Sequence, residues 1–286
     1  MLKLERRTLK KLAGKGVHSA IEIKSSLSEM FHENTKLTPL SGRAYGQYIA
    51  NILRSAAAKR LMASPYKLYN LMDQVELTSL EPKTELERVI ADRRSQRRFS
   101  SEAITQQELS TLLFFSYGRT DRGGQFRAVA SGGALYPLEV YVIALNIRGL
   151  ERGIYHYDIE HHCLDVVSRG DCWDAVKDCV WLSDIEEPEK GAMIVVFTAI
   201  FQRNTMKYLD RGYRLILMEA GEAAQNMSLL ATSAGLGALL LGGFIDNALS
   251  ELLGIDGVDE APLLPVFVGK RPAGTSDHIG KSEELQ

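Results

Sequence analysis

Four guanidinium groups crowd into six residues at Arg93-Arg94-Ser95-Gln96-Arg97-Arg98. Arginine presents a planar fork of donors that matches phosphate oxygens, so a cluster held in one place has the chemistry of a phosphate grip. The flanking sequence says where it is held. Thr84-Glu85-Leu86-Glu87 is a capping box, and Leu86, Val89 and Ile90 follow at helical spacing, which predicts a helix over roughly 85–95. A second box, Thr105-Gln106-Gln107-Glu108, opens a run through Leu109, Leu112, Leu113 and Phe115, with Gly118 placed to stop it. The arginines therefore fall at a junction between two helices. Cations are also favoured at a helix C-terminus for their own sake, so the cluster alone leaves both readings open.

Three further segments could meet a ligand. Ser131-Gly132-Gly133-Ala134-Leu135-Tyr136-Pro137 precedes a strand, and its missing side chains allow a flat ligand or another backbone to approach closely. Gly235-Leu236-Gly237, with Gly242-Gly243-Phe244 after it, lacks the strand-before, helix-after setting of a dinucleotide fingerprint, which excludes a Rossmann reading. Gly269-Lys270-Arg271-Pro272 adds a basic pair late in the chain. No metal site is expected. Cys163, Cys172 and Cys179 have neither zinc nor disulfide spacing, and His161-His162-Cys163 falls at the turn of a hairpin pairing 154–158 with 163–167.

The elements that must position these residues alternate along the chain. Two helices run to about 117. A strand near 138–146, the hairpin, a strand at 192–200 and a long helix over roughly 211–234 follow; the helix carries Leu215, Met218, Ala223, Met227, Leu230 and Ala234 and is stopped by Gly235. Apolar runs at 238–244 and 262–268 read as further strands, and the class is α+β with a sheet core. Upstream, Ile49, Ile52, Leu53, Ala56, Ala57 and Leu61 trace a stripe along one candidate helix, and Pro82 marks a boundary. The expected organisation is a helical N-terminal extension at 1–82, a main domain at 83–272 and a polar tail at 273–286. In 286 residues, 34 basic against 36 acidic side chains give a net charge of −2, so no global bias towards nucleic acid or an anionic membrane exists. No apolar run is long enough to span a bilayer, and the basic stretch Met1–Lys15 lacks the apolar core of a secretory signal; a cytoplasmic location is expected.

In combination these segments resemble the flavin-dependent nitroreductase superfamily, and within it the SagB-type azoline dehydrogenases of ribosomal-peptide biosynthesis. The similarity spans about 84–271 and rests on five motifs in family order: Arg93-Arg94-Ser95 with Arg97 and Phe99; Ser131 to Glu139; Met206-Lys207-Tyr208 with Arg211-Gly212-Tyr213-Arg214; Glu219-Ala220-Gly221 with Gln225-Asn226; and Gly235-Leu236-Gly237 with Gly242-Gly243. Phe31 to Lys36 is similar to a segment of SagB-type extensions. The resemblance implies the nitroreductase fold, an antiparallel-rich central sheet flanked by helices, with FMN at the interface of a homodimer. Arg93, Arg94, Ser95 and Arg97 would hold the phosphate and ribityl chain, helped by Lys270 and Arg271. Ser131, Gly132 and Gly133 would meet the isoalloxazine from the partner subunit, while Leu240, Gly242 and Gly243 would line it from their own. Ala130 stands where relatives often carry proline, which predicts a less rigid loop.

The adjacent Lys207 and Tyr208 mark azoline dehydrogenases more than ordinary nitroreductases, and the resemblance makes them the catalytic pair. Oxidising a thiazoline or oxazoline to the aromatic azole removes a proton and a hydride, which calls for a base on one side and the flavin on the other. Free Lys and Tyr titrate near ~10, so their surroundings must bring them down. Which of the two is the base stays open, and because neighbours on a helix point about 100° apart, both reach one substrate only from a loop or a helix terminus. The implied partners are an azoline-containing peptide and an ATP-dependent cyclodehydratase. Two rivals stand beside this reading: an NAD(P)H-dependent nitro, quinone or enone reductase of the same fold, and a structural subunit using residues 1–80 as a docking arm.

Overall fold

The computed structural model describes residues 26–63, 66–67, 69, 71–78, 80–121 and 123–273. The basic stretch Met1–Lys15 and the expected polar tail, apart from its first residue, lie outside the described residues. Contacts divide the chain between Thr35 and Lys36. The first unit contributes α1 (Leu27–Thr35). The second comprises α2 (Pro39–Arg54), α3 (Ala56–Ala63), α4 (Glu85–Asp92), β1 (Ile104–Thr105), α5 (Gln106–Tyr117), β2 (Leu138–Ala144), β3 (Ile147–Arg148), β4 (Gly153–Asp158), β5 (Cys163–Arg169), α6 (Trp173–Cys179), β6 (Met193–Ile200), α7 (Gln202–Tyr208), α8 (Asp210–Ser233), β7 (Leu236–Leu240), α9 (Asp246–Leu253) and β8 (Glu260–Lys270).

Six strands form one sheet in the order β5-β4-β2-β6-β8-β7, every neighbouring pair antiparallel. Strand alternation sorts side chains to two faces. Val140, Val142, Val195, Phe197, Val266 and Val268 pack with α5 and α8, whereas Tyr141, Ile143, Ile194, Val196 and Phe267 pack with α6 and α9. The class is α+β, as the sequence predicts. Strand β8 is longer than the predicted 262–268 and keeps Pro262 and Pro265 inside the sheet; the register shifts between Phe197 and Thr198, beside Pro262, and Pro265 serves as an acceptor for Leu241 N–H.

Both capping boxes form. Thr84 Oγ1 accepts Glu87 N–H and Thr105 Oγ1 accepts Glu108 N–H, with each glutamate reaching back to the cap. Helix α4 ends at Asp92, three residues before the expected end, because Arg93 leaves helical geometry. In α8 the buried face is rotated from the expected stripe. Ile216, Ala220, Ala223, Ala224, Met227 and Ala231 face the sheet, where small side chains let the helix lie close, and Met218 is 61% exposed.

The upstream stripe is not one helix. Ser55 turns to an extended conformation and separates α2 from α3, and Leu53 and Leu61 are exposed. Polar contacts at 36 and 37 and packing at 42 and 45 against Trp181 join this segment to the main body. Lys36 Nζ donates to Gly257 O at 2.6 Å, Leu37 N–H donates to the Asp246 carboxylate at 2.8 Å, and Gly42 packs under Trp181 and Ile245.

Candidate active site

The last turn of α7 carries Lys207 and Tyr208, and Leu209 then breaks the helix with φ +49° and ψ −142° before α8 begins. A helix end is one of the placements from which two sequence neighbours can reach one point. They do so at Gly133. A Cβ on that residue would lie 2.5 Å from Tyr208 Oη and 2.7 Å from Lys207 Nζ, and its φ of +72° is one that only glycine adopts without strain. Gly132 is equally pressed, against Leu215 of α8. Ala134 (φ +54°) and Tyr136 (φ +44°) also have positive φ, on either side of Leu135 in right-handed geometry. Of the five non-glycine residues with positive φ among the described residues, three are Ala134, Tyr136 and Leu209. Such strain costs of order 1–3 kcal/mol per residue and persists where the surroundings over-determine it, a pattern typical of functional sites.

Two carboxylates, Glu219 buried and Glu139 largely so, supply the over-determination. Glu219, on the sheet face of α8 and 2% exposed, accepts Tyr117 O–H and Ser131 O–H at 2.6 Å each. Each hydroxyl also accepts a backbone amide of the turn, Tyr136 N–H at Ser131 Oγ (2.9 Å) and Leu138 N–H at Tyr117 Oη (3.2 Å). Arg127 lies between the Tyr117 and Tyr136 rings, 4.7 and 4.8 Å from their centres. Burial raises the Glu219 carboxyl above its ordinary range, against the two hydroxyl donors and the Arg127 charge. On β2, Glu139 pairs with Arg203 of α7 and with His156 Nε2 (2.9 Å), and Arg203 also donates to Tyr136 O at 3.3 Å. Burial pushes Glu139 up, but these two cations outweigh it and hold the carboxyl low; His156 is raised in turn, first by its bond to Glu139. Arg203 thus ties the helix bearing Lys207 both to the sheet and to the end of the glycine turn.

The arginine cluster is fixed differently, by backbone pairing. Ser95 bridges Ala238 of β7, Gln96 N–H donates to Ala238 O, Ser100 N–H donates to Lys270 O, and buried Phe99 packs on Phe267 with ring centres 5.0 Å apart. Among the described residues Arg93, Arg94 and Arg97 have no carboxylate partner, whereas Arg98 pairs with Glu186 at 2.9 Å. Three guanidinium groups without a resident anion are the donor set a phosphate needs. Lys270 is committed to Glu108 at 2.6 Å, and Arg271 Nε donates to Leu236 O just past α8. Gly243 is accounted for by Trp181, whose ring lies 2.4 Å from where a Cβ would stand; Gly242 faces open space, and Leu240 is partly exposed.

The predicted residues therefore form two groups. Ser131, Gly132, Gly133, Lys207 and Tyr208 meet near the start of α8. Arg93, Arg94, Ser95, Arg97, Lys270 and Arg271 gather around the β7 and β8 residues that follow its end. Helix α8 has 24 residues, which makes it about 35 Å long. The sequence assigns no role to Tyr117, Arg203 or His156, and gives Glu139 and Glu219 only a place in a motif. The available signal was a charged residue in an apolar register: Glu139 one residue into a strand of Leu, Val and Ile, and Glu219 between Ile216 and Ala220.

Residues 90–270 match the family model described as the Nitroreductase family. MJ1384 of Methanocaldococcus jannaschii, named as a nitroreductase, is 38% identical over 200 residues, covering 69% of this chain and 96% of that protein. The microcin B17-processing protein McbC of Escherichia coli is 32% identical over 165 residues, 56% of this chain and 60% of McbC. The E. coli microcin synthetase McbBCD complex with truncated pro-MccB17 bound shares the fold, with a TM-score of 0.59 at 22% identity over 88% of this chain and all of the matched one.

Proposed function

The chain belongs to the nitroreductase family of oxidoreductases, and on that premise we propose that it is an FMN-dependent dehydrogenase oxidising thiazoline or oxazoline rings of a modified peptide to the aromatic azoles. The observation that carries this reading is the meeting of Lys207 Nζ and Tyr208 Oη over Gly133. Aromatising an azoline requires a proton to leave carbon, and two proton-handling groups aimed at one point supply an acceptor and a relay. Lys207 is exposed and Tyr208 half-buried, so a substrate ring has access to the pair. FMN, when bound, supplies the two-electron acceptor that the hydride requires.

The cofactor fits the donor set at the other group. Arg93 and Arg97 would take the phosphate and Ser95 the ribityl chain, with Arg94 adding positive charge. Lys270 and Arg271, each already engaged, would contribute field more than direct bonds. Gly132 packs against Leu215 of α8 and Arg271 reaches Thr232 O at 3.5 Å, positions about 25 Å apart along the helix and farther than a mononucleotide spans. We infer that a complete site joins the arginine group of one protomer to the glycine turn of a second, in a two-fold homodimer. A peptide substrate, a cyclodehydratase partner and a cytoplasmic location complete the reading; the likeness to McbC motivates the first two. No helix among the described residues is long and apolar enough to cross a membrane.

The likeness to MJ1384 favours a second reading, an NAD(P)H-dependent reductase on the same fold. Anaerobic absorbance of the FMN-loaded protein separates them. Bleaching of the flavin bands by a thiazoline-containing peptide, with the bands surviving NADPH, is the expected result. Rapid bleaching by NADPH alone establishes the reductase, and a protein that takes up no FMN overturns both.

A further inference from the structure

We propose that Glu219 is a positioning residue: acting through the hydroxyls of Tyr117 and Ser131, its carboxylate sets the strained turn Ser131–Leu138 and so fixes Gly133 against Lys207 and Tyr208. The proposal rests on the reading of Lys207 and Tyr208 as the reacting pair. Its geometry is a symmetrical relay. Each carboxylate oxygen takes one hydroxyl proton at 2.6 Å, and each hydroxyl oxygen takes one amide proton from the turn, Tyr136 N–H on one branch and Leu138 N–H on the other. A hydroxyl has a single proton to give, so a carboxylate that accepts from both hydroxyls fixes the rotor of each and leaves an oxygen lone pair facing the amide.

The turn needs such a clamp. Ala134 and Tyr136 hold positive φ without being glycine, and a chain released from its anchors would relax out of that region. Relaxation would move Gly133, where an added Cβ would lie within 2.7 Å of both Lys207 Nζ and Tyr208 Oη. The cation over the two rings reinforces this function, since Arg127 sits against Tyr117 and Tyr136 and its backbone N–H donates to Tyr136 Oη at 3.2 Å. Burial disfavours the carboxylate that the relay requires. A carboxyl kept here is consequently better explained by the geometry it imposes than by stability it adds.

The test is residue-resolved amide exchange on the full chain loaded with FMN, combined with steady-state kinetics on a thiazoline-containing peptide. Ser131→Ala removes one branch and should speed exchange at Tyr136 by about tenfold, leaving Leu138 protected; Tyr117→Phe should do the reverse. Glu219→Gln, which accepts at one oxygen only, should speed exchange at one or both amides by a similar factor. Tyr117→Phe and Glu219→Gln, neither of which removes a residue placed against the flavin, should lower kcat by more than tenfold at unchanged KM, because the turn is misplaced while the binding surface stays; Ser131→Ala is read by exchange alone. Equal loosening of both amides by either hydroxyl variant, or Glu219→Gln with unchanged exchange, overturns the relay. Altered exchange with an unchanged kcat overturns the positioning role. Failure of wild type to oxidise any thiazoline peptide sinks the proposed reaction instead, and the exchange pattern still decides the relay.

Discussion

The two groups of site residues, towards opposite ends of α8, are built by different means. Around β7 and β8, backbone pairing fixes the arginine segment: Ser95 and Gln96 lie along β7, Ser100 reaches β8, and the guanidinium groups of Arg93, Arg94 and Arg97 have no carboxylate partner among the described residues. At the start of α8, side chains do the fixing. Glu219 and Glu139, one on a helix and one on a strand, hold a turn with three positive-φ residues and the helix that faces it. On the proposed reading the difference follows from what each group would do. A phosphate is bound by charge, which tolerates flexible donors, whereas moving a proton and a hydride demands placement to within a fraction of an ångström.

Four measurements would break or sharpen that contrast. The largest effect is expected from Lys207→Ala combined with Tyr208→Phe: azoline turnover should fall by about 10²–10⁴-fold, with FMN affinity kept within a few-fold by titration. Lost FMN affinity would place the pair in the binding group and erase the distinction. Next, Arg93→Ala with Arg97→Ala removes two charge-assisted donors at about 1.5 kcal/mol each, raising the FMN Kd roughly a hundredfold. Exchange at Tyr136 and Leu138 should be unaffected. Third, Arg203→Gln leaves Glu139 half-paired. Because Arg203 is itself partly solvated, we expect a cost of about 1–2 kcal/mol, a lower melting temperature by roughly 2–8 °C, and a fall in kcat larger than that loss explains.

The smallest effect is a pH dependence with a sign that identifies its source. His156 is raised by Glu139 and faces Asp165 and Glu260 as well. Its contribution to stability is fully present below the ordinary value of 6.5 and is lost as pH rises through the higher folded value. Glu139, lowered by His156 and Arg203, contributes in the opposite sense, with stability present above 4.5 and lost as pH falls below it. Glu219, which faces Tyr117, Ser131, Arg127 and Glu222, is raised, so its share also declines as pH rises. Melting temperature should therefore decline modestly from pH 6 to pH 9, and His156→Gln should flatten the decline. An unflattened slope would move the titration elsewhere.

Much of the arginine region was legible because its signals are local. Thr84 and Thr105 announce their helices, Gly235 ends α8, and the strands follow runs of apolar residues, although β7 spans Leu236–Leu240 and not the expected 238–244. The other region was legible only in its motif residues. That Ser131 gives its proton to Glu219, 88 positions away, or that Tyr136 O meets Arg203, is set by the pairing of β2 with β6 and the packing of α8, which no window of sequence contains. The upstream stripe misled for a related reason. Helical spacing from 49 to 61 is real, but Ser55 interrupts it, and the exposed Leu53 and Leu61 show that periodicity reports an apolar face without saying what covers it.

The central claim, that one site takes its arginines from one protomer and its glycine turn from another, is tested most directly by complementation. Two defective variants, Arg93→Ala with Arg97→Ala and Lys207→Ala with Tyr208→Phe, are unfolded together, refolded as a mixture and assayed on a thiazoline-containing peptide at an FMN concentration that saturates wild type but lies far below the raised Kd of the arginine variant. Mixed dimers hold one intact site out of two and form half of a random population, so about a quarter of wild-type activity should return. A mixture as inactive as its components would contradict the account, because each site would then lie within a single chain.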